Sequence, residues 1–310
     1  MFRSHRGLIA AGVIAATAIV ALAGCSSSST LSGGSSSGGS GKAESIVIGS
    51  ANFPESTILA DIYGQALASN GFTITYKPNI GARPAYYAAL KANEINFVPE
   101  YSGSILDFLS KSATANTPGD VKAALDAALP SNLKALTPSK AADSDSLNVT
   151  AAFAEKNNLK SIADLKNVSD VTLAANPEFQ TRPDGIAGLQ KVYGLTNLKF
   201  QAIGDSGGPA TLAALLNNTV QVADIYSTTP SIIQSKLVTL TDPKSLFASQ
   251  EVVPIVTKSK VNAKLTSVVD KVSAALTTND LIQLNIEVSG TSKTDPGVAA
   301  KNWLKKANLF

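Results

Sequence analysis

The chain has 310 residues, 44% of them hydrophobic, with 26 Lys and Arg against 23 Asp and Glu, a single His and a single Cys. Arg3, His5 and Arg6 precede Cys25, so a chain beginning at Cys25 keeps 24 basic and 23 acidic residues, a net charge of +1, and no histidine. That balance argues against nucleic acid or another polyanion as partner. It also excludes Ser-His-Asp and Cys-His nucleophile systems and a Cys/His zinc site. Carboxylate-only chemistry survives the count, but no Asp/Glu pair stands at a spacing that specifies it, and neither a metal nor a cofactor is expected.

The first residues read as a targeting segment. Arg3, His5 and Arg6 form a positive start, Leu8 to Ala21 is apolar, and Leu22-Ala23-Gly24-Cys25 has the form of a bacterial lipoprotein signal. The expectation is a signal peptide over 1–24, with Cys25 becoming the lipidated first residue. An uncleaved transmembrane anchor is the alternative, and it leaves the chain on the same face of the membrane. Ser26 to Gly41 is almost entirely Ser and Gly. Such a stretch buries no apolar surface, so 25–44 is expected to be a tether reaching roughly 5 to 6 Å times the square root of its length.

From Ser45 the chain alternates strand and helix. Ile46 to Ile48 reads as a strand, and Gly49 to Phe53 as the turn after it. Pro54 suits a first helical position, Ile58, Leu59, Ile62, Ala66 and Leu67 recur at helical spacing, and Gly71 ends the helix. Asn52 and Phe53 are therefore expected to face a crevice. Phe72 to Lys77 alternates as a strand, Pro84 opens a second helix bearing Tyr86, Tyr87 and Leu90 as packing residues, and Ile95 to Val98 is a third strand, expected to stop at Pro99. This βαβαβ order demands a parallel sheet, whose carboxyl-terminal edge is where ligands bind. Glu100, Tyr101 and Ser102 fall at that edge.

A helix from Thr117-Pro118 to Leu129 and a strand at 133–136 follow, and Asp143 to Val149 reads as an extended connection between lobes. The alternation then resumes: a helix over 151–157, Ser161 capping a short helix, a strand at 171–174, and a loop, 176–185, that carries Arg182. Arg182 can grip a carboxylate through a two-pronged hydrogen bond, or pair with Asp184 or Glu178. A strand at 199–202, a helix at 210–216 and a strand at 220–225 come next, the last ending in Tyr226-Ser227-Thr228-Thr229 before Pro230. Two strands that each end in Tyr-Ser suggest two facing walls; the alternative is two tyrosines capping core strands. The chain closes with an extended segment at 252–257 and helices over 261–276, 280–288 and 296–307, expected to pack back on the first lobe.

Five blocks in this order resemble the ProX-like (OpuAC-type) substrate-binding lipoproteins of ABC importers for glycine betaine, choline and related osmoprotectants. They are Ile48-Gly49-Ser50-Ala51-Asn52-Phe53, Ala89 to Ile95, Pro99-Glu100-Tyr101-Ser102-Gly103-Ser104, Pro177-Glu178-Phe179 with Arg182 and Asp184-Gly185, and Asp224-Ile225-Tyr226-Ser227-Thr228. The resemblance implies an α/β, two-lobed, type II periplasmic-binding-protein-like fold with the ligand cleft between lobes and a two-segment hinge. Lobe 1 is expected to comprise 45–146 and 255–310, and lobe 2 to comprise 147–254.

By the same resemblance the quaternary ammonium group sits in a box of tyrosines, since a permanent cation that cannot be hydrogen-bonded is held by aromatic faces, roughly 0.5 to 2 kcal/mol per ring. Tyr101 and Tyr226 are then two walls, Ser104 stands where the family often has a ligand-contacting Thr, and Arg182 meets the ligand carboxylate. Asn52, Phe53 and Thr228 complete the candidate set. The chain departs from the family pattern at Ala51, where Lys is frequent, near Asp145 to Leu147, where a third tyrosine is missing, and at Gln250, which takes the place of a fourth. A more polar solute is therefore an alternative ligand. The implied partners are a small solute and the permease subunits of an importer at the extracytoplasmic face of the cell membrane. A solute-sensing ectodomain and an enzyme on the same scaffold are the competing classes, the latter lacking catalytic groups.

Overall fold

The computed structural model describes residues 44–110 and 112–309, so the signal segment, Cys25 and the whole Ser/Gly stretch lie outside the described residues. The first strand, β1 (Ser45–Gly49), is followed by α1 (Pro54–Ser69), β2 (Thr73–Lys77), α2 (Arg83–Lys91) and β3 (Phe97–Tyr101). Both helices begin with Pro in the first turn, where a missing N–H costs nothing and the fixed φ is already helical. Just past the end of α1, Gly71 takes a φ of 84°, which turns the chain so that the Phe72 N–H returns to the Leu67 carbonyl at 3.2 Å. Strands β2, β1 and β3 run parallel, as the βαβαβ reading requires.

Next come α3 (Ser102–Leu109), α4 (Pro118–Ala128), β4 (Leu133–Ala135), β5 (Leu147–Thr150) and α5 (Ala151–Asn157), then β6 (Thr172–Ala175), α6 (Ile186–Gly188), β7 (Lys199–Ala202), α7 (Pro209–Leu216), β8 (Val222–Asp224), α8 (Ser231–Gln234) and β9 (Leu237–Thr239). The chain finishes with β10 (Val252–Thr257), α9 (Ala263–Ala275), α10 (Thr278–Ser289) and α11 (Pro296–Lys306). The strands form two five-stranded sheets, in the orders β2-β1-β3-β10-β4 and β7-β6-β8-β5-β9. Each is covered on both faces. One side of the first sheet packs Ile58, Ile62 and Tyr63 of α1 against Leu265, Leu281 and Trp303 of the C-terminal helices, and the other packs Tyr86, Tyr87 and Leu90 of α2 with Val121 and Leu125 of α4. The last three helices thus close the first lobe, as expected from sequence.

Pro99 does not end its strand. Strand β3 runs through it to Tyr101, and Pro99 lies opposite Pro254 of the antiparallel β10. Alternate pairs of an antiparallel ladder exchange no hydrogen bonds, so two prolines can face each other there without orphaning a partner. The Pro254 carbonyl turns away and accepts from the Leu136 N–H at 2.9 Å. Two elements were not foreseen: α3, which starts directly after Tyr101, and β9, which pairs with β5. The stretch read as a plain connection supplies β5, the antiparallel neighbour of both β8 and β9.

The chain crosses between the sheets twice, over 136–146 and 240–251. The two crossings run side by side: Ala142 bridges Glu251, the Asp143 N–H donates to the Gln250 carbonyl at 3.2 Å, and the Val252 N–H donates to the Ala141 carbonyl at 2.8 Å. Val252, Val253 and Pro254 already pair with β3, although the expected division placed them with the second lobe.

Candidate functional site

On the first lobe the site is built from the turn between β1 and α1. The Ser50 hydroxyl accepts from the Asn79 N–H at 2.9 Å, and the Ala51 N–H donates to the Ser56 hydroxyl at 2.9 Å, which pins the turn and leaves Asn52 and Phe53 exposed. The Phe53 ring stacks on Tyr101, with centroids 6.3 Å apart and planes 27° apart. Tyr101 itself is only 7% exposed and its hydroxyl donates to Glu55, in the first turn of α1. Tyr101 is thus both a core side chain and the floor under an exposed ring, so the two readings of this residue are not exclusive.

Glu55 joins segments far apart in sequence. Its other oxygen accepts from Asn285 Nδ2 of α10 at 2.5 Å, and the same amide donates to the Thr228 carbonyl of the second lobe at 3.3 Å. Glu55, Thr228 and Asn285 are all buried. Burial raises the Glu55 carboxyl, although hydrogen bonds from Tyr101, Asn285 and the Thr228 hydroxyl partly oppose it. Glu100 is a separate structural carboxylate, gripped by Arg83 at 2.9 and 3.2 Å and by the Tyr86 hydroxyl at 2.6 Å.

The second lobe contributes the loop after β8. The Ser227 hydroxyl accepts from the Ser144 N–H at 3.0 Å and donates to the Ala142 carbonyl at 3.1 Å, while the Thr228 N–H donates to Asp143 Oδ1 at 3.2 Å. These bonds fasten the loop to the first crossing and leave Tyr226, 37% exposed, at its tip. Burial and the nearby Glu55 push Asp143 up to about 7. Asp143 stands at the base of the Tyr226 loop, bonded to the Thr228 N–H.

Arg182 sits in the loop after β6 with its charge already matched. Its Nε donates to Asp184 Oδ1 at 2.9 Å, and one Nη donates to Asp184 Oδ2 and Asp145 Oδ2, each at 2.6 Å. The pairing with Asp184 is therefore formed, and Asp145 is an addition the sequence did not indicate. The loop holds its shape because Gly185 passes so close to Phe179 that a Cβ there would lie 1.8 Å from the Phe179 carbonyl oxygen.

Ser104 and Gln250 meet each other. Gln250 Oε1 accepts from the Ser104 N–H at 2.8 Å and so satisfies one of the free donors at the start of α3, while the Ser102 hydroxyl donates to the Ser249 carbonyl at 3.0 Å. A cavity of about 320 Å³ beside the crossings includes Asn116, Ser144, Asp145, Ser227 and Gln250 in its lining.

The structure brings Phe53, Tyr101 and Thr228 together through Glu55 and Asn285, holds Tyr226 next to them through the bonds of Ser227 and Thr228 to the first crossing, and sets Arg182 against Asp145. The polar residues that sequence reasoning did not single out are Glu55, Asp143, Asp145 and Asn285. Glu55 could have been noticed as a carboxylate one residue after Pro54 on the face that buries Ile58, Leu59 and Ile62. Asn285 carries no comparable local signal. Among the described residues no group of His, Cys, Asp and Glu is arranged to hold a metal ion, and no helix is long and apolar enough to cross a membrane.

A family model described as the substrate binding domain of ABC-type glycine betaine transport systems, OpuAC, matches residues 44–306. The glycine betaine-binding protein YehZ of Escherichia coli K12 is 28% identical over 282 residues, covering 85% of this chain and 92% of that protein. A glycine-betaine-binding protein of Pseudomonas aeruginosa is 27% identical over 284 residues, covering 87% and 90%. Among solved structures, a glycine betaine/carnitine/choline ABC transporter protein superposes with a TM-score of 0.78 at 22% identity, over 86% of this chain and 99% of that one. The ligand-free E. coli YehZ superposes with a TM-score of 0.74 at 26% identity, over 86% and 99%. The two-lobed type II fold of solute-binding proteins is thereby shared, and the chain belongs to the OpuAC family, the substrate-binding domains of ABC-type glycine betaine transport systems.

Proposed function

We propose that this chain is the extracytoplasmic solute receptor of an ABC importer, that it binds a quaternary-ammonium osmoprotectant between its lobes, and that it delivers the solute to the permease. The observation that carries this reading is the placement of an exposed ring, Phe53, stacked on the buried Tyr101 on one lobe and of Tyr226 on the other, with Glu55, Thr228 and Asn285 bridging the two. Aromatic faces from both lobes stabilise a cation only when the lobes close on it, so binding favours the closed state. Closure then presents the permease with a surface the open form lacks. Cys25, acylated after cleavage of 1–24, and the Ser/Gly stretch keep the receptor at the membrane. The lobes are 45–146 with 252–310, and 147–251, the whole of β10 going with the first because it pairs with β3 and β4.

The test is calorimetry of the processed chain against glycine betaine, choline, carnitine, proline, glutamine and a polyol. Quaternary amines are expected to bind, and at 100 times the dissociation constant to stabilise the fold by about 2.7 kcal/mol. Binding of the polyol or an amino acid with no response to any quaternary amine would replace this reading with the more polar solute.

A further inference from the structure

The charges at the site do not match a zwitterion. Glu55, Asp143, Asp145 and Asp224 converge on it, and the cation among them, Arg182, is bonded on two sides by Asp184 and Asp145. A ligand carboxylate reaching the free edge of that guanidinium would meet two carboxylates already seated on it. Meanwhile Asp145 Oδ1 and Asp224 Oδ1 are buried and have no hydrogen-bond partner among the described residues, and Asp224 as a whole is 5% exposed. Buried carboxylate oxygens without donors are costly unless something positive or protonated comes to them. The antiparallel pairing of Leu147 with Asp224 continues through the Ile225 N–H to the Ser146 carbonyl and the Ser227 N–H to the Ser144 carbonyl, so Tyr226 lies opposite Asp145 and on the same face of its segment as Asp224. A cation resting on the Tyr226 ring would therefore stand beside both carboxylates, one of which lies where the family pattern would put a third tyrosine.

Resting on the reading of the cleft given above, we infer that Asp145 and Asp224 determine specificity by net charge: the site takes an amine of charge +1 without a carboxylate, a choline-type amino alcohol, in preference to a zwitterionic betaine. Carboxylates take over the work of missing aromatic walls, adding an attraction that a zwitterion forfeits through its own negative end. In the ligand-free site, burial and the neighbouring Asp145 hold Asp224 well above the usual carboxylate range, with Arg182 opposing.

The experiment is calorimetric titration of the parent chain, Asp224→Asn and Asp145→Asn with choline chloride and with glycine betaine at one ionic strength, alongside a thermal melt of each variant. The parent is expected to bind choline at least tenfold more tightly than betaine. Each Asn variant is expected to reduce that ratio at least tenfold, through loss of choline affinity, with betaine affinity unchanged or improved. Equal or tighter binding of betaine by the parent overturns the inference while leaving the proposed function standing. So does an equal loss of both affinities in a variant that melts like the parent. Failure of the parent to bind any quaternary amine overturns both. Should one variant not fold, the parent ratio and the other variant still decide.

Discussion

Replacing Tyr101 and Tyr226 separately by Ala should give opposite results, although the two residues occupy equivalent places in the sequence pattern. Tyr101 is 7% exposed, packs within the core cluster that holds Phe97 and Ile58, and donates its hydroxyl to Glu55. Removing such a ring leaves a cavity and typically costs about 3 to 5 kcal/mol, and here it also strips a buried carboxyl of a donor. Tyr226 is 37% exposed on a loop, so Tyr226→Ala should change folding stability by less than about 1 kcal/mol. Its ligand affinity should instead fall by about 1 to 3 kcal/mol through lost cation–π contact and apolar cover. Tyr101→Phe separates the ring of Tyr101 from its hydroxyl: it keeps the stack with Phe53 and should cost about 1 to 3 kcal/mol, the penalty of an unsatisfied buried partner. Urea unfolding followed by tryptophan fluorescence and circular dichroism gives the stabilities, and calorimetry below the transition gives the affinities. Comparable destabilisation by the two Ala variants, or parent-like ligand affinity in Tyr226→Ala, would refute the division of roles.

The pH dependence of stability should carry the mark of the buried carboxylates. Asp143 is raised from 3.8 to about 7 in the fold, so the folded chain holds a proton that the unfolded chain has released, and this contribution to stability, full below pH 3.8, is lost as the pH rises through about 7. Glu55 and Asp224 are raised as well and act in the same direction. Urea titrations of the ligand-free chain between pH 4.5 and 7.5 should therefore show falling stability, and Asp143→Asn should flatten the slope; an unchanged slope in that variant would remove Asp143 from the account. Gly185→Ala places a Cβ 1.8 Å from the Phe179 carbonyl oxygen and should destabilise the chain by about 1 to 3 kcal/mol while loosening the Arg182 loop, measurable by denaturation and by amide exchange at 178–186. Cys25→Ala should release the chain from the membrane fraction or leave it unprocessed; lipidation and processing like the parent's would refute the targeting reading.

The sequence by itself determined the helix starts at Pro54, Pro84, Pro118 and Pro296, the parallel βαβαβ beginning, the return of the C-terminal helices to the first lobe and the five blocks that point to the family. These features are local: a proline at a first turn and an apolar period of 3.6 act on a few neighbouring residues whatever surrounds them. Only the tertiary structure decided that β3 passes through Pro99, because that depends on Pro254, contributed by a strand that arrives more than 150 residues later. It alone also decided the electrostatics of the cleft. Glu55 and Asn285 are bonded across 230 positions, Arg182 and Asp145 across 37, and no pattern along the chain indicates which carboxylates share a buried space. A side chain's charge state follows from burial and from the groups that folding brings against it, so the positions of the two tyrosines at their strand ends could be read along the chain, while the carboxylates gathered near them could be read only in three dimensions.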